Sequence, residues 1–158
     1  MNEGPTIRLI LLRHGFAPGG GARNDRARSL GEGIQARLRA GSVELADQGP
    51  LTALVSAALR TQQTADAVLS SLHVSKRLDL DALYGADGPS IVSMIEEEVA
   101  GGSEGVIVIG HNPGLTAAAH DLSGGAFADV LRPGDAVMCC RDADGWRFVR
   151  HVTIQADS

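Results

Sequence analysis

The stretch "IRLILLRHG", residues 7–15, determines the expected fold and points to a site. Its apolar run from Ile7 to Leu12, interrupted only by Arg8, is typical of a buried strand. An arginine and a histidine, Arg13 and His14, follow this run directly. Because α/β sheets bind their ligands outside the carboxyl ends of their strands, these two side chains are candidates for a binding edge.

The rest of the chain alternates strand-like and helix-like segments. Apolar spacing predicts strands near residues 51–55 and 106–109, and helices near residues 31–47 and 59–72. Further segments predict a short strand in "KRLDLDALYG", a helix in "PSIVSMIEEEVAGG" and an antiparallel hairpin in "DAVMCCRDADGWRFVRHVTI". We therefore predict one domain over residues 1–158, a three-layer α/β/α sandwich whose mostly parallel central sheet has an antiparallel edge strand.

The composition is that of one soluble, acidic domain. The chain has 158 residues, of which 44% are hydrophobic and 3% aromatic, and its formal net charge is −5. The acidic balance and the scarcity of aromatic rings argue against nucleic-acid and membrane-surface partners. No apolar run reaches the length of a membrane span, and the N-terminus lacks a signal-peptide pattern, so we expect a cytoplasmic protein. The two cysteines, Cys139 and Cys140, are adjacent, which fits neither a disulfide framework nor a zinc site.

Charged and titratable side chains follow several of the predicted strands. Arg13 and His14 follow the first strand, Arg60 follows the second, and His111 follows the strand at residues 106–109. The carboxyl ends of parallel strands meet at one edge of a sheet, so we expect these four side chains to converge. Guanidinium groups match phosphate oxygens, and an imidazole can donate a hydrogen bond or attack. The sequence therefore predicts a locally positive pocket for a phosphate ester or a phosphoramidate.

Three segments together resemble the signature segments of the histidine phosphatase superfamily. They are "LLRHG", "LVSAALRTQQTA" and "VIVIGHNPGL", and the resemblance extends from Leu9 to about Leu122. The short chain and its "GHNPG" are most similar to the small SixA-type phosphohistidine phosphatases. The resemblance implies a phosphoglycerate mutase-like fold and a phosphatase that uses neither a metal nor another cofactor.

The resemblance also implies roles for the residues at the strand ends. His14 would be the nucleophile, and Arg13, Arg60 and His111 would bind the phosphate. A neutral imidazole can attack phosphorus in line and form a phosphohistidine that water later hydrolyses. His14 must then be unprotonated on its attacking nitrogen, so we expect a backbone acceptor on its other ring nitrogen.

The arginine-rich segment before the first predicted helix contributes a further candidate. In "DRARSL", Arg28 precedes a leucine as in the family segment, which implies an additional phosphate contact. The glycines at 19–21 predict a flexible loop ahead of this segment. We expect the other arginines to be solvated or to line the mouth of the pocket: Arg23, Arg26, Arg37 and Arg39.

Three more residues are candidates for the site, and two of them also have a purely structural interpretation. Gly15 allows the backbone to approach a substrate closely. Asn112 is either a substrate contact or the cap of the helix that follows it. Asp81 lies in "LDALYG", which resembles the segment that holds the general acid in larger members of the superfamily, and is otherwise a solvated aspartate at a strand end.

The substrate depends on that acid. An alkoxide leaving group needs a proton from the enzyme, whereas the imidazole of phosphohistidine leaves readily once it is protonated. We therefore expect phosphohistidine on a signalling or phosphotransfer protein, and a functional acid at Asp81 would instead favour a small phosphate ester such as a sugar phosphate or nucleotide. A module that binds a phosphorylated partner without turnover is a third hypothesis, although binding alone needs no nucleophile.

Overall fold

The computed structural model describes residues 6–19 and 24–155. Residues 20–23, which include Arg23 and part of the predicted glycine loop, lie outside the described residues. The strands of the described part are β1 (Ile7–Arg13), β2 (Leu51–Ser56), β3 (Val74–Leu80), β4 (Gly105–Gly110), β5 (Asp135–Asp142) and β6 (Gly145–Thr153). They form one sheet with the order β3-β2-β4-β1-β5-β6.

The sheet is parallel over four strands and antiparallel at one side. β4 pairs in parallel with β1 and β2, and β2 pairs in parallel with β3. β5 runs against both of its neighbours, β1 and β6. The predicted mostly parallel sheet is therefore confirmed, and its reversed strand lies one position in from the edge that β6 forms.

Helices cover both faces of the sheet, which confirms the predicted three layers. The helices are α1 (Ile34–Gly41), α2 (Leu59–Leu69), α3 (Gly88–Ala100) and α4 (Gly114–Leu122). Buried residues of α1 and α2 belong to one core cluster, and those of α3 and α4 belong to another. No helix among the described residues is long and apolar enough to cross a membrane.

The strand β1 separates these two clusters along its length. Leu9 and Leu11 pack on the side of α3 and α4, whereas Ile10 and Leu12 pack on the side of α1 and α2. A strand buried on both faces is apolar at successive positions, which accounts for the run that the sequence shows here.

The predicted helix at residues 31–47 is shorter in the structure. α1 ends at Gly41, and a 3₁₀ turn over Ser42–Leu45 follows it. A Cβ atom on Gly41 would lie 1.8 Å from the carbonyl oxygen of Ile154, so the backbone at Ile154 packs directly on that of Gly41. Glycine also has a lower helix propensity than every residue except proline, and the helix ends at this contact.

Candidate active site

The residues predicted at the strand ends lie at one end of the sheet. Arg13 is the last residue of β1, and His14 follows it. His111 follows β4, and Arg60 lies in the first turn of α2. β1 and β4 end side by side, and the backbone N–H of His14 donates to the backbone carbonyl of Gly110 at 3.2 Å.

Arg60 contacts both histidines. Its Nε lies 3.4 Å from Nε2 of His14, and its Nη2 lies 3.3 Å from Nδ1 of His111. The centroids of the two imidazole rings are 5.3 Å apart. The structure thus places two imidazoles along one guanidinium group.

His14 is buried and held in one tautomer. Its Nδ1 lies 2.7 Å from the carbonyl oxygen of Gly15. Because a carbonyl only accepts, Nδ1 carries the hydrogen and the lone pair is on Nε2, which faces Arg60. Burial, with smaller contributions from His111 and the nearby arginines, lowers the pKa of His14 to about 3. The ring is therefore neutral at physiological pH.

His111 is also neutral and has the opposite tautomer. Its Nδ1 faces the Arg60 guanidinium, which only donates, so the hydrogen is on Nε2. This Nε2 donates to the hydroxyl oxygen of Ser56 at 2.7 Å. Burial and the charge of Arg60 lower the pKa of His111 to about 4. A bound phosphate would favour the protonated ring, which could then donate from both nitrogens.

Arg60 is 5% exposed and lies where a helix is least favourable to a cation. An anion compensates it in the structure. Its Nη1 donates to the backbone carbonyl of Asp25 at 2.8 Å, and its Nη2 donates to the Asp25 carboxylate at 3.0 Å. The Asp25 carboxylate therefore supplies the negative charge that balances this arginine at the start of α2.

The two other candidate arginines lie in the same neighbourhood. Arg28 donates from Nε to Oδ1 of Asp25 at 3.2 Å, its Nη2 lies 3.1 Å from the same oxygen, and its Nη1 donates to the carbonyl of Ala17. Arg13 donates from Nη1 to the carbonyl of Leu131 at 3.0 Å. Its Nε is buried and has no hydrogen-bond partner in the part of the chain that the structure describes. An anionic ligand would satisfy such a donor.

Asp25 and Tyr84 complete the site, and neither was among the residues predicted from the sequence. Asp25 begins the 3₁₀ turn Asp25–Ala27, and its carboxylate accepts a hydrogen bond from the Tyr84 hydroxyl. This bond, with those from Arg60 and Arg28, holds the pKa of Asp25 at about 2. The Tyr84 ring lies edge-on to His111, with ring centroids 5.4 Å apart. The available signal was a carboxylate within the arginine-rich segment that was singled out for Arg28.

Two candidate binding residues have structural partners. The Gly15 N–H donates to the Thr64 hydroxyl at 3.0 Å, and a Cβ atom on Gly15 would lie 2.7 Å from Cγ2 of Ile34. The Asn112 side chain accepts from the Thr116 N–H at 3.1 Å and from its hydroxyl at 2.7 Å, and donates to a carbonyl in the following loop at 2.7 Å. The Asn112 side chain thus holds the first turn of α4 from the residue before its N-cap, Pro113, and substrate contacts by Gly15 and Asn112 stay predictions.

Asp81, the predicted general acid, lies at the rim. Its side chain is 79% exposed and pairs with Nη1 of Arg26 at 2.8 Å. The Arg26 guanidinium stacks over the Tyr84 ring, 4.2 Å from its centroid. Asp81 is therefore linked to the site through these two side chains, and its role as an acid stays a prediction.

The arrangement places an unprotonated imidazole nitrogen beside several cationic side chains. Nε2 of His14 offers a lone pair beside the guanidinium of Arg60, and Arg13 and Arg28 add positive charge. Within residues 6–19 and 24–155, no group of three or more His, Cys, Asp or Glu side chains could hold a metal ion. Such a set of residues can bind a tetrahedral dianion and attack its central atom.

Comparison with known proteins gives structural matches only. No family model matches the chain, and no curated protein sequence does. A structure from Nakamurella multipartitia, assigned as a phosphohistidine phosphatase SixA, has a TM-score of 0.81 at 22% identity and covers 99% of this chain and 100% of its own. The protein histidine phosphatase SixA complexed with tungstate has a TM-score of 0.78 at 21% identity, over 93% of this chain and 97% of its own.

A more distant match is a mycobacterial glucosyl-3-phosphoglycerate phosphatase. Its TM-score is 0.61 at 16% identity, and the match covers 96% of this chain and 100% of that one. At such identities the likeness concerns the fold. The chain has the fold of the SixA structures, which confirms at this level the resemblance found in the three sequence segments.

Proposed function

We propose that this protein is a histidine phosphatase of the SixA type, which uses His14 as its nucleophile and needs no metal ion. One observation carries the proposal: the Gly15 carbonyl holds Nδ1 of His14, and Nε2 lies unprotonated against Arg60. A buried neutral imidazole beside several arginines is suited to attack on a phosphoryl group. The fold shared with SixA supports the same function.

The reaction has two steps that balance. In the first, the Nε2 lone pair of His14 forms a bond to phosphorus while the bond between phosphorus and the leaving group breaks. Arg13, Arg28, Arg60 and His111 offset the charge on the equatorial oxygens. In the second, water attacks phosphorus, the nitrogen–phosphorus bond breaks, and dihydrogen phosphate and neutral His14 are released.

Phosphohistidine on a signalling or phosphotransfer protein is the proposed substrate. When its ring is protonated, the imidazole leaves as a neutral group, and the phosphoryl group passes from one imidazole to another without an acid from the enzyme. An ester needs such an acid, and Asp81, the candidate, is exposed and paired with Arg26. A small phosphate ester is the second candidate substrate and requires that Asp81 donate a proton.

The first prediction tests the nucleophile and the substrate together. Phosphate release is measured with EDTA present, from a phosphohistidine-bearing phosphotransfer protein and from a panel of phosphate esters. We expect release to be faster from phosphohistidine, and His14→Ala to lower it at least 10³-fold, as loss of a covalent nucleophile does. His73→Ala, which removes an exposed histidine outside the site, is the matched control.

A labelled intermediate distinguishes the outcomes further. Rapid acid-free quenching should trap labelled phosphate on the wild-type chain and on His73→Ala, and none on His14→Ala. Turnover that persists in His14→Ala would exclude this nucleophile. Faster phosphate release from an ester than from phosphohistidine would identify a small phosphate ester as the substrate. Release from neither substrate would leave binding without turnover as the remaining hypothesis.

A further inference from the structure

The Asp25 carboxylate contacts the arginine donors of the proposed phosphate site. Its Oδ2 lies 3.0 Å from Nη2 of Arg60, and its Oδ1 lies 3.1 Å from Nη2 of Arg28. These are the donors that a phosphate oxygen would use. A substrate must therefore share both arginines with this carboxylate or displace it.

The position of Asp25 relative to His14 defines which part of a substrate it would meet. Arg60 presents Nε to His14 and Nη2 to Asp25, so its guanidinium lies between the attacking nitrogen and the carboxylate. In-line transfer places the leaving group on the side of phosphorus opposite the nucleophile. With the phosphoryl group bound along Arg60, the leaving group then faces Asp25.

We propose that Asp25 is a specificity-determining residue, whose carboxylate accepts a hydrogen bond from the N–H of a protonated imidazole leaving group and so favours phosphohistidine over phosphate monoesters. This inference rests on the proposed function and names what selects its substrate. The carboxylate shares Arg60 and Arg28 with the phosphoryl group and repels a second negative charge. A protonated imidazole offsets that repulsion, whereas the alcohol part of a monoester does not.

The surroundings of Asp25 keep the carboxylate charged and in place. The Tyr84 hydroxyl donates to Oδ2, and Arg26 stacks on the Tyr84 ring. The low pKa of Asp25, about 2, keeps it ionised at neutral pH. The side chain is 38% exposed, so a histidine on the surface of another protein can reach it.

The second prediction compares leaving groups. The values of kcat/KM are measured for phosphoimidazole and for p-nitrophenyl phosphate with wild type and Asp25→Asn. We expect Asp25→Asn to lower kcat/KM for phosphoimidazole about tenfold and to raise it for the ester, since a charged hydrogen bond is lost in one case and a repulsion in the other. Asp66→Asn is the matched control, because it removes the same charge from an exposed pair with Arg77.

Binding of inorganic phosphate gives a readout that needs no turnover. By calorimetry, Asp25→Asn should bind phosphate about tenfold more tightly than wild type, and Asp66→Asn should not differ from it. An equal loss of kcat/KM for both substrates, an unchanged ratio between them, or weaker phosphate binding would overturn the inference and leave Asp25 as a support for Arg60.

The two proposals fail in different ways. If neither substrate shows turnover that depends on His14, the proposed function fails, and this inference fails with it. If turnover depends on His14 but the ratio of the two substrates does not respond to Asp25→Asn, the proposed function stands and this inference fails.

Discussion

His14 and His111 owe their chemistry to burial. Both rings lie beside guanidinium groups, and the pKa of His14 falls to about 3 and that of His111 to about 4. A surface histidine has a pKa near ~6.5 and would be partly protonated at neutral pH. The fold thus keeps both rings neutral and one lone pair of each available.

The same burial predicts how stability depends on pH. The His14 ring takes up a proton near pH ~6.5 when unfolded but only near pH 3 when folded, so the unfolded state binds more protons in between. Stability is therefore lost as pH falls through this window. Between pH 7 and pH 5, we expect wild type to lose about 2 kcal/mol more unfolding free energy than His14→Gln.

Urea unfolding at pH 7, 6 and 5 measures this difference. His73→Gln, at an exposed position, should lose stability in parallel with wild type. Parallel curves for wild type and His14→Gln would show that the buried ring titrates normally, and would contradict the neutral imidazole on which the proposed first step depends.

The site residues at the strand ends were predictable from the sequence pattern and Arg28 from the family resemblance, whereas Asp25 and Tyr84 were not predicted. His14 and His111 directly follow apolar strands, so their position depends only on the sheet, and Arg60 follows β2 by a short loop. Asp25 begins one 3₁₀ turn, and Tyr84 directly follows another, which spans Asp81–Leu83. The two residues are 59 positions apart in the sequence and are joined by one hydrogen bond. No local pattern determines how two such segments dock.

At the scale of elements, α4 begins at Gly114, three residues after the site residue His111. Asn112 holds the first turn of α4 through Thr116 and donates to the carbonyl of Leu131, which also accepts from Arg13. The Leu131 N–H in turn donates to the Thr116 hydroxyl at 3.1 Å. These hydrogen bonds of Asn112, Thr116 and Leu131, here called the bracket, join α4 to the loop before β5 and to Arg13.

The bracket separates the two interpretations that the sequence left open for Asn112. If it is a cap, Asn112→Ala leaves buried donors and acceptors without partners, and we expect unfolding free energy to fall by about 1–3 kcal/mol. Thermal denaturation measures this, with Thr116→Val as a second variant that breaks the same bracket while it leaves Asn112 in place. A raised KM with unchanged stability in Asn112→Ala would instead make this residue a substrate contact.

Helix ends also mark a limit of the sequence analysis. Apolar spacing alone extends the first helix to residue 47, whereas α1 ends at Gly41 against the carbonyl of Ile154. That contact joins residues over a hundred positions apart. The periodicity predicts which face of the helix is buried, and a distant backbone decides where the helix stops.

At the scale of the whole molecule, charge is distributed unevenly. The chain carries a formal net charge of −5, yet Arg13, Arg28 and Arg60 cluster at one end of the sheet. A locally positive site in an acidic protein attracts a phosphoryl group at short range while the rest of the surface repels polyanions. For the proposed substrate, this distribution favours a single phosphoryl group over an extended phosphate chain.

The single-domain architecture predicted from the sequence implies cooperative unfolding, because one sheet joins both core clusters. Ile10 and Leu11 are adjacent on β1 and pack on opposite faces. We expect Ile10→Ala and Leu11→Ala each to lower unfolding free energy by about 2–5 kcal/mol, as large-to-small core substitutions do. If the chain is one cooperative unit, each substitution shifts the same transition on both faces.

The fluorescence of Trp146, the single tryptophan, tests this directly because its ring packs against the cluster that contains Leu11. Ile10→Ala lies on the other face, yet it should move the Trp146 transition and the circular-dichroism transition to the same lower urea concentration. Val43→Ala, at a 68% exposed position, should move neither by more than about 0.5 kcal/mol. A Trp146 transition that ignores Ile10→Ala would mean that the two faces unfold separately, and the strand ends that carry His14 and His111 would then lack a common rigid support.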